Sequence, residues 1–248
     1  MRPGLGLQGL MNLQNFVKEG GVYIGATSSA TFAIENGLTH GVSVGAAGTG
    51  SRVVGSLLRT KIVDSTSPIV YGIQDNLAVY SDAGATFSVS ASGAGGRGGG
   101  GGGGRAGGAG PRATGRGLPD EQDQPQGRPA LDPRFEATAA ARVDPWAYAL
   151  PTDDQLRSPL NIIPPAYRPR VALRFSEQNQ LLASGLLQGG GDIAQRPVVV
   201  DVPVEKGHVV LFANNPLYRG TTVGSYALVL NTIVNFDSLN AGRKLDQK

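Results

Sequence analysis

The stretch Pro197-Val198-Val199-Val200-Asp201-Val202-Pro203-Val204-Glu205-Lys206-Gly207-His208-Val209-Val210-Leu211-Phe212-Ala213 decides the fold. Residues 197–204 and 208–213 read as two strands, rich in β-branched and apolar side chains, and Glu205-Lys206-Gly207 is the compact turn that makes them a hairpin. Downstream, residues 225–236 carry Tyr226, Leu228, Leu230, Ile233, Val234 and Phe236 and predict an apolar helix, capped by Thr221, Thr222 or Ser225, that covers one sheet face. Upstream, residues 170–175 predict another strand, and residues 180–187 a short helical or loop segment ending in Gly189-Gly190-Gly191.

The amino-terminal part supplies the other layer. Leu7, Leu10, Leu13, Phe16 and Val17 recur at helical spacing over residues 7–19, with Gly20-Gly21 as the stop. Val22-Tyr23-Ile24 then reads as a buried strand, and Ser28 or Ser29 caps a second helix that runs to Glu35 and closes at Asn36-Gly37. A helix feeding a buried strand feeding a helix predicts an α/β fold with three layers. Short β-type segments follow at residues 57–63, 69–73, 77–80 and 87–89, with one more at 41–44.

These two parts are separated by residues 92–150, which include seven consecutive glycines at 98–104 between Arg97 and Arg105. Such a tract cannot bury enough apolar surface to offset its chain entropy, so it reads as a long disordered insertion. The predicted organisation is residues 1–91 as the first half of an α/β domain, 92–150 as the insertion, 151–240 as the second half, and 241–248 as a tail. Within the insertion, residues 136–142 suggest a short helix and Trp146 a docking point.

Composition narrows the chemistry. The formal charge of +3 is spread over scattered cations such as Arg52, Arg59, Lys61, Arg168 and Arg170, without the clustered basic face of a nucleic-acid binder. No run is long and apolar enough to suggest a membrane span. The absence of cysteine excludes thiolate metal sites and a cysteine nucleophile. The two histidines, His40 and His208, open no zinc-binding pattern, so His208 is expected to be structural and His40 solvated. Ser184-Gly185 and Gly55-Ser56 lack the flanking glycines of a nucleophile elbow and read as turn serines. Residues 45–50 are glycine-rich but lack the lysine of a phosphate loop. The Gly/Arg tract has no interleaved aromatic to stack on RNA bases. None of these motifs calls for a metal or a cofactor. One loop stands out: Pro216-Leu217-Tyr218-Arg219-Gly220 sits between a strong strand and the last helix, where α/β proteins hold ligands, and makes Tyr218 and Arg219 the candidate ligand-binding residues.

Several strings together resemble a known family. They are Gly4-Leu5-Gly6, Leu13-Gln14-Asn15-Phe16-Val17-Lys18-Glu19-Gly20-Gly21, Gly55-Ser56-Leu57-Leu58-Arg59, Pro68-Ile69-Val70-Tyr71-Gly72, Leu182-Ala183-Ser184-Gly185, Lys206-Gly207-His208-Val209-Val210-Leu211-Phe212 and Asn215-Pro216-Leu217-Tyr218-Arg219. In this order they resemble the C-terminal region of large bacterial zinc-carboxypeptidase-like proteins, itself similar to the class I glutamine amidotransferase-like, flavodoxin-like fold. The resemblance implies a secreted or periplasmic parent with an upstream zinc-peptidase domain, none of whose ligands maps onto this chain. Amidotransferase chemistry does not carry over either, because that nucleophile is a cysteine.

The strand and helix that the resemblance implies ahead of Leu5 are missing, so the flavodoxin-like sheet is expected to be amino-terminally incomplete, with Met1 marking a truncated reading frame or a fragment. An incomplete sheet leaves an unpaired strand and an apolar surface, which favours the upstream peptidase domain, another chain, or a homo-oligomer as partner; membrane and nucleic acid are not expected. The expected role is a non-catalytic accessory domain, structural or substrate-presenting. One alternative is a divergent hydrolase that uses Tyr218 and Arg219 with acids such as Asp192 or Asp201. Another is RNA association through the Gly/Arg tract.

Overall fold

The computed structural model describes residues 5–46, 52–82, 85–91, 144–147 and 162–243. The chain divides into two compact units, residues 1–96 with 144–248, and residues 97–143; the second lies outside the described residues, as do the Gly/Arg tract and the helix expected over 136–142.

The first unit is a mixed α/β fold. Helix α1 (Gly6–Lys18) leads into β1 (Val22–Ala26), then α2 (Ser28–Glu35), β2 (Val42–Ala46), β3 (Arg52–Ile62), β4 (Ala78–Ser81) and β5 (Ala85–Val89). After the intervening segment come β6 (Arg170–Phe175), β7 (Leu182–Gln188), β8 (Pro197–Val204), β9 (Gly207–Phe212) and a last helix, α3 (Val223–Val234). The main sheet runs β1-β9-β8-β6-β3-β4, with β7 also on β3, while β2 and β5 form a separate ribbon. Among the described strands, β1 and β9 pair in parallel and the other pairings are antiparallel. The helix-strand-helix unit at the amino terminus thus joins the sheet by the parallel rule of α/β folds, and the rest is built by hairpins.

The sheet has a core on each face, because side chains alternate along its strands. Val210 and Phe212 of β9 face Leu228 and Val229 of α3, with Leu58, Phe175 and Ile69. Val209 and Leu211 face the other way, toward Val17 of α1, Ala30 and Ala33 of α2, and Phe87 of the ribbon. The three layers expected from the sequence are present. Trp146 docks against the second core and lies 3.9 Å beneath the Arg174 guanidinium.

Two segments differ from expectation. Residues 69–73 are not a strand: Pro68–Val70 is a short 3-10 turn, entered through a proline that fixes φ and offers no N–H to a ladder. Of residues 180–187, the first two are loop and 182–187 are most of β7, which pairs with β3 through a register shift between Val54 and Leu57. Gly55 and Gly185 take positive φ there, and the bulge breaks the period-two pattern by which β7 could have been recognised. The caps also differ. Neither α2 nor α3 has a side-chain cap on its first amides.

The turn between β8 and β9 is where α1 seats. Gly207 faces the end of that helix, and a Cβ there would run into the backbone carbonyls of Val17 and Gly21. No side chain can move aside to admit it. Gly207→Ala is therefore expected to displace α1 and lower stability by about 2–3 kcal/mol, read as a fall in the chemical-denaturation midpoint.

Candidate functional site

Polar chemistry gathers at two places, on opposite ends of β9. At its amino-terminal end, Asp201 is completely buried and is the one charged residue of β8. Its Oδ1 accepts from His208 Nδ1 at 2.7 Å, and its Oδ2 accepts from Arg243 Nη2 at 2.8 Å. Arg243 also donates to the Arg168 carbonyl at 2.7 Å and to Asn240 Oδ1 at 3.1 Å. Burial pulls the Arg243 pKa down, and the Asp201 carboxylate acts against that. The segment set apart from sequence as a tail thus contributes a cation to the core.

Beside it, Arg170 is equally engaged. It donates to Asp64 Oδ2 at 2.8 Å, to the Ala241 and Leu239 carbonyls at 2.8 and 3.2 Å, and to Thr66 Oγ1 at 2.9 Å. Burial raises the Asp64 pKa, but hydrogen bonds from Arg170 and Thr66 outweigh it, and the net shift is downward. A cleft of about 310 Å³ opens here, lined by Asp64, Thr66, Arg168, Arg170 and Arg243. Three arginines around a cleft suggest an anion site, yet each guanidinium already donates to carbonyls or carboxylates of the chain itself. The cluster ties the 64–66 loop and residues 239–243 to the sheet.

At the carboxyl end of β9 lies the loop singled out from sequence. Tyr218 stacks on Tyr80 of β4 with ring centroids 3.6 Å apart and planes within 4°, and the Arg219 guanidinium lies 5.3 Å from the Tyr218 ring centre. Arg219 is exposed and holds φ +43°. The loop is pinned by Ser225, whose hydroxyl donates to the Pro216 carbonyl at 2.5 Å, and by Tyr226, whose hydroxyl accepts from the Gly220 amide at 2.9 Å. Contact with Tyr218, reinforced by burial, pushes the Tyr80 pKa up to about 12, so that phenol stays neutral and is a poor base at neutral pH.

Two features here were not legible in the sequence. Thr27, between β1 and α2, holds φ +49° and ψ −112°, a strained conformation for a β-branched residue. It is held by its amide on the Phe212 carbonyl at 3.0 Å and by Thr31, whose amide donates to the Thr27 carbonyl at 3.1 Å. Asn214, just past β9, is fully buried, and neither side-chain amide atom has a hydrogen-bond partner. A strained residue between a strand and a helix is the geometry of a nucleophile turn, but a hydroxyl there needs a base. The chain has two histidines. His208 is beside Val22 at the far end of β1, and His40 donates from Nε2 to the Tyr167 carbonyl at 2.7 Å, so it is bound rather than solvated.

Neither of the acids weighed beside Tyr218 and Arg219 joins them. Asp192 is exposed in a 3-10 turn, and Asp201 sits at the opposite end of β9 from Tyr218 and Arg219. Ser56 and Gly185 meet each other in the β3–β7 bulge, where the Ser56 hydroxyl donates to the Leu186 carbonyl at 2.6 Å. Residues 47–50 of the glycine-rich stretch lie outside the described residues. Among the described residues no group of three or more His, Asp or Glu could hold a metal ion, and no helix is long and apolar enough to cross a membrane.

Removing Arg243 leaves the buried Asp201 carboxylate with His208 alone. Arg243→Ala is expected to destabilise the fold by about 3 kcal/mol, a drop of roughly 6–12 °C in melting temperature. The torsions of Thr27 mirror an ordinary extended pair, which glycine adopts freely. Thr27→Gly is expected to raise stability by about 1 kcal/mol, and an unchanged or lower melting temperature would show that the turn is not strained.

No family model matches this chain, and no curated protein matches it. Among solved structures it is similar to the "Cytoplasmic Protein STM3548 from Salmonella typhimurium", at 13% identity and a TM-score of 0.39, over 92% of this chain and 60% of that one. The chain thus spans 60% of the length of that structure.

Proposed function

We propose that this chain is a non-catalytic α/β domain with a structural or substrate-presenting role, of the accessory kind implied by its resemblance to the C-terminal region of zinc-carboxypeptidase-like proteins. The observation that carries this reading is the use to which the reactive side chains are put. Asp201 is hydrogen-bonded by His208 and Arg243 in the core, Ser56 closes a bulge, and Tyr80 and Tyr218 cover each other. General acid–base or nucleophilic work needs a base within hydrogen-bond reach of a free nucleophile. Thr27, the one strained hydroxyl at a strand end, has no histidine beside it. Arg219, exposed at the rim of the tyrosine stack, is placed to meet a ligand.

The competing reading is a divergent hydrolase acting through Tyr218 and Arg219. The purified chain, incubated with ester, amide and peptide substrates, is expected to turn over none of them above the buffer rate, as are Tyr218→Phe and Arg219→Ala. Turnover above that rate, lost in Arg219→Ala while the variant still melts like the parent, would sink the accessory reading.

A further inference from the structure

One edge of the main sheet is β1, whose only strand partner among the described residues is β9. The hydrogen bonds flanking β1 fix which of its groups face outward. The His208 amide donates to the Gly21 carbonyl at 3.2 Å, and the Thr27 amide donates to the Phe212 carbonyl at 3.0 Å. Strand groups alternate in direction, so Tyr23 and Gly25 also address β9, and the N–H and C=O of Val22, Ile24 and Ala26 point away from the sheet. At Ala26 the Ser29 hydroxyl takes both groups, accepting from the amide and lying 2.8 Å from the carbonyl. Val22 and Ile24 are left, with two donors and two acceptors on an edge.

The surface around this edge is apolar, with the exposed carboxylates Glu19 and Asp237 at its border. A cavity of about 370 Å³ is lined by Val22 and Ile24 together with Phe16 of α1 and Ile233 and Phe236 at the end of α3. Phe16, Leu230, Ile233, Val234 and Phe236 are each more than half exposed. β1 and α3 contain no charged residue, and the one charge in α1, Lys18, pairs with Glu205 at 3.4 Å. Monomers seldom leave an unblunted strand edge beside a patch of this kind.

From this edge we infer that the chain forms a two-fold dimer by pairing β1 with β1 of a second copy, antiparallel, so that the two sheets become one. The edge is self-complementary. With the axis at Tyr23, Val22 of one copy faces Ile24 of the other, and the two outward residues on each side exchange all their donors and acceptors in four interchain hydrogen bonds. The Ser29 hydroxyl ends the pairing at Ala26, so the register cannot extend in that direction. The same axis sets the exposed stripe of α3 against its counterpart. Because α3 carries no charge, its stripe meets its own copy without like-charge repulsion. The five exposed side chains offer on the order of 600 Å² at about 120 Å² apiece, and the strand edge and cavity walls bring the surface toward the roughly 800 Å² per partner of a stable interface. The inference does not depend on whether the chain is catalytic: turnover would overturn the preceding reading and leave this one standing.

Analytical ultracentrifugation of the full chain over a range of micromolar concentrations tests it. The parent is expected to sediment as a dimer. Val22→Pro removes one outward donor without touching the β9 ladder, and Ile233→Lys puts a charge on the stripe; each is expected to weaken dimerisation at least about tenfold. Leu186→Lys, on the exposed face of β7, serves as the control and is expected to change nothing. If Val22→Pro fails to fold, Ile233→Lys decides, since that helix position is exposed. A parent that stays monomeric throughout, a dimer that survives Ile233→Lys, or one abolished by Leu186→Lys would overturn the proposal.

Discussion

The buried carboxylate of Asp201 is the constraint around which this domain is arranged. A charge taken wholly out of water destabilises a fold by several kcal/mol unless it is paired and hydrogen-bonded, and here His208 and Arg243 each meet one carboxylate oxygen. One partner lies across the β8–β9 hairpin and the other comes from the last described residue of the chain. The carboxylate therefore couples the formation of the central hairpin to the docking of the C-terminal segment. Arg170 repeats the device one strand away, holding the 64–66 loop and the carbonyls of Leu239 and Ala241.

Around that polar tie the packing is simple. The valines of β8 and β9 face both cores, and the helices close each side. Two features remain open around it. Tyr218 and Arg219 project at the carboxyl end of β9, and the β1 edge lies at the margin of the sheet between α1 and α3.

The α/β class and the three layers were legible in residues 7–35 and 197–236, because periodicities of 3.6 and 2 record which side each residue presents to a core. The loop with Tyr218 and Arg219 was legible as a strand-to-helix junction, but its stacking partner Tyr80 was not, since the two are distant in sequence. β7 was missed because the bulge at Gly185 shifts the phase of its pattern. The strain at Thr27 was also missed, because a threonine between a strand and a helix ordinarily reads as a cap.

By itself, the sequence determined the identity and order of the strong elements and the absence of cysteine chemistry, for these depend on local periodicity and composition. Only the tertiary structure decided that most strands pair antiparallel, that Asp201 belongs to Arg243 rather than to Arg219, and that β1 is left with an outward edge. Each of these is a long-range pairing between chemically interchangeable partners: any acid could meet any arginine, and any strand any strand. The choice is made by which side chains are buried together once the sheet closes.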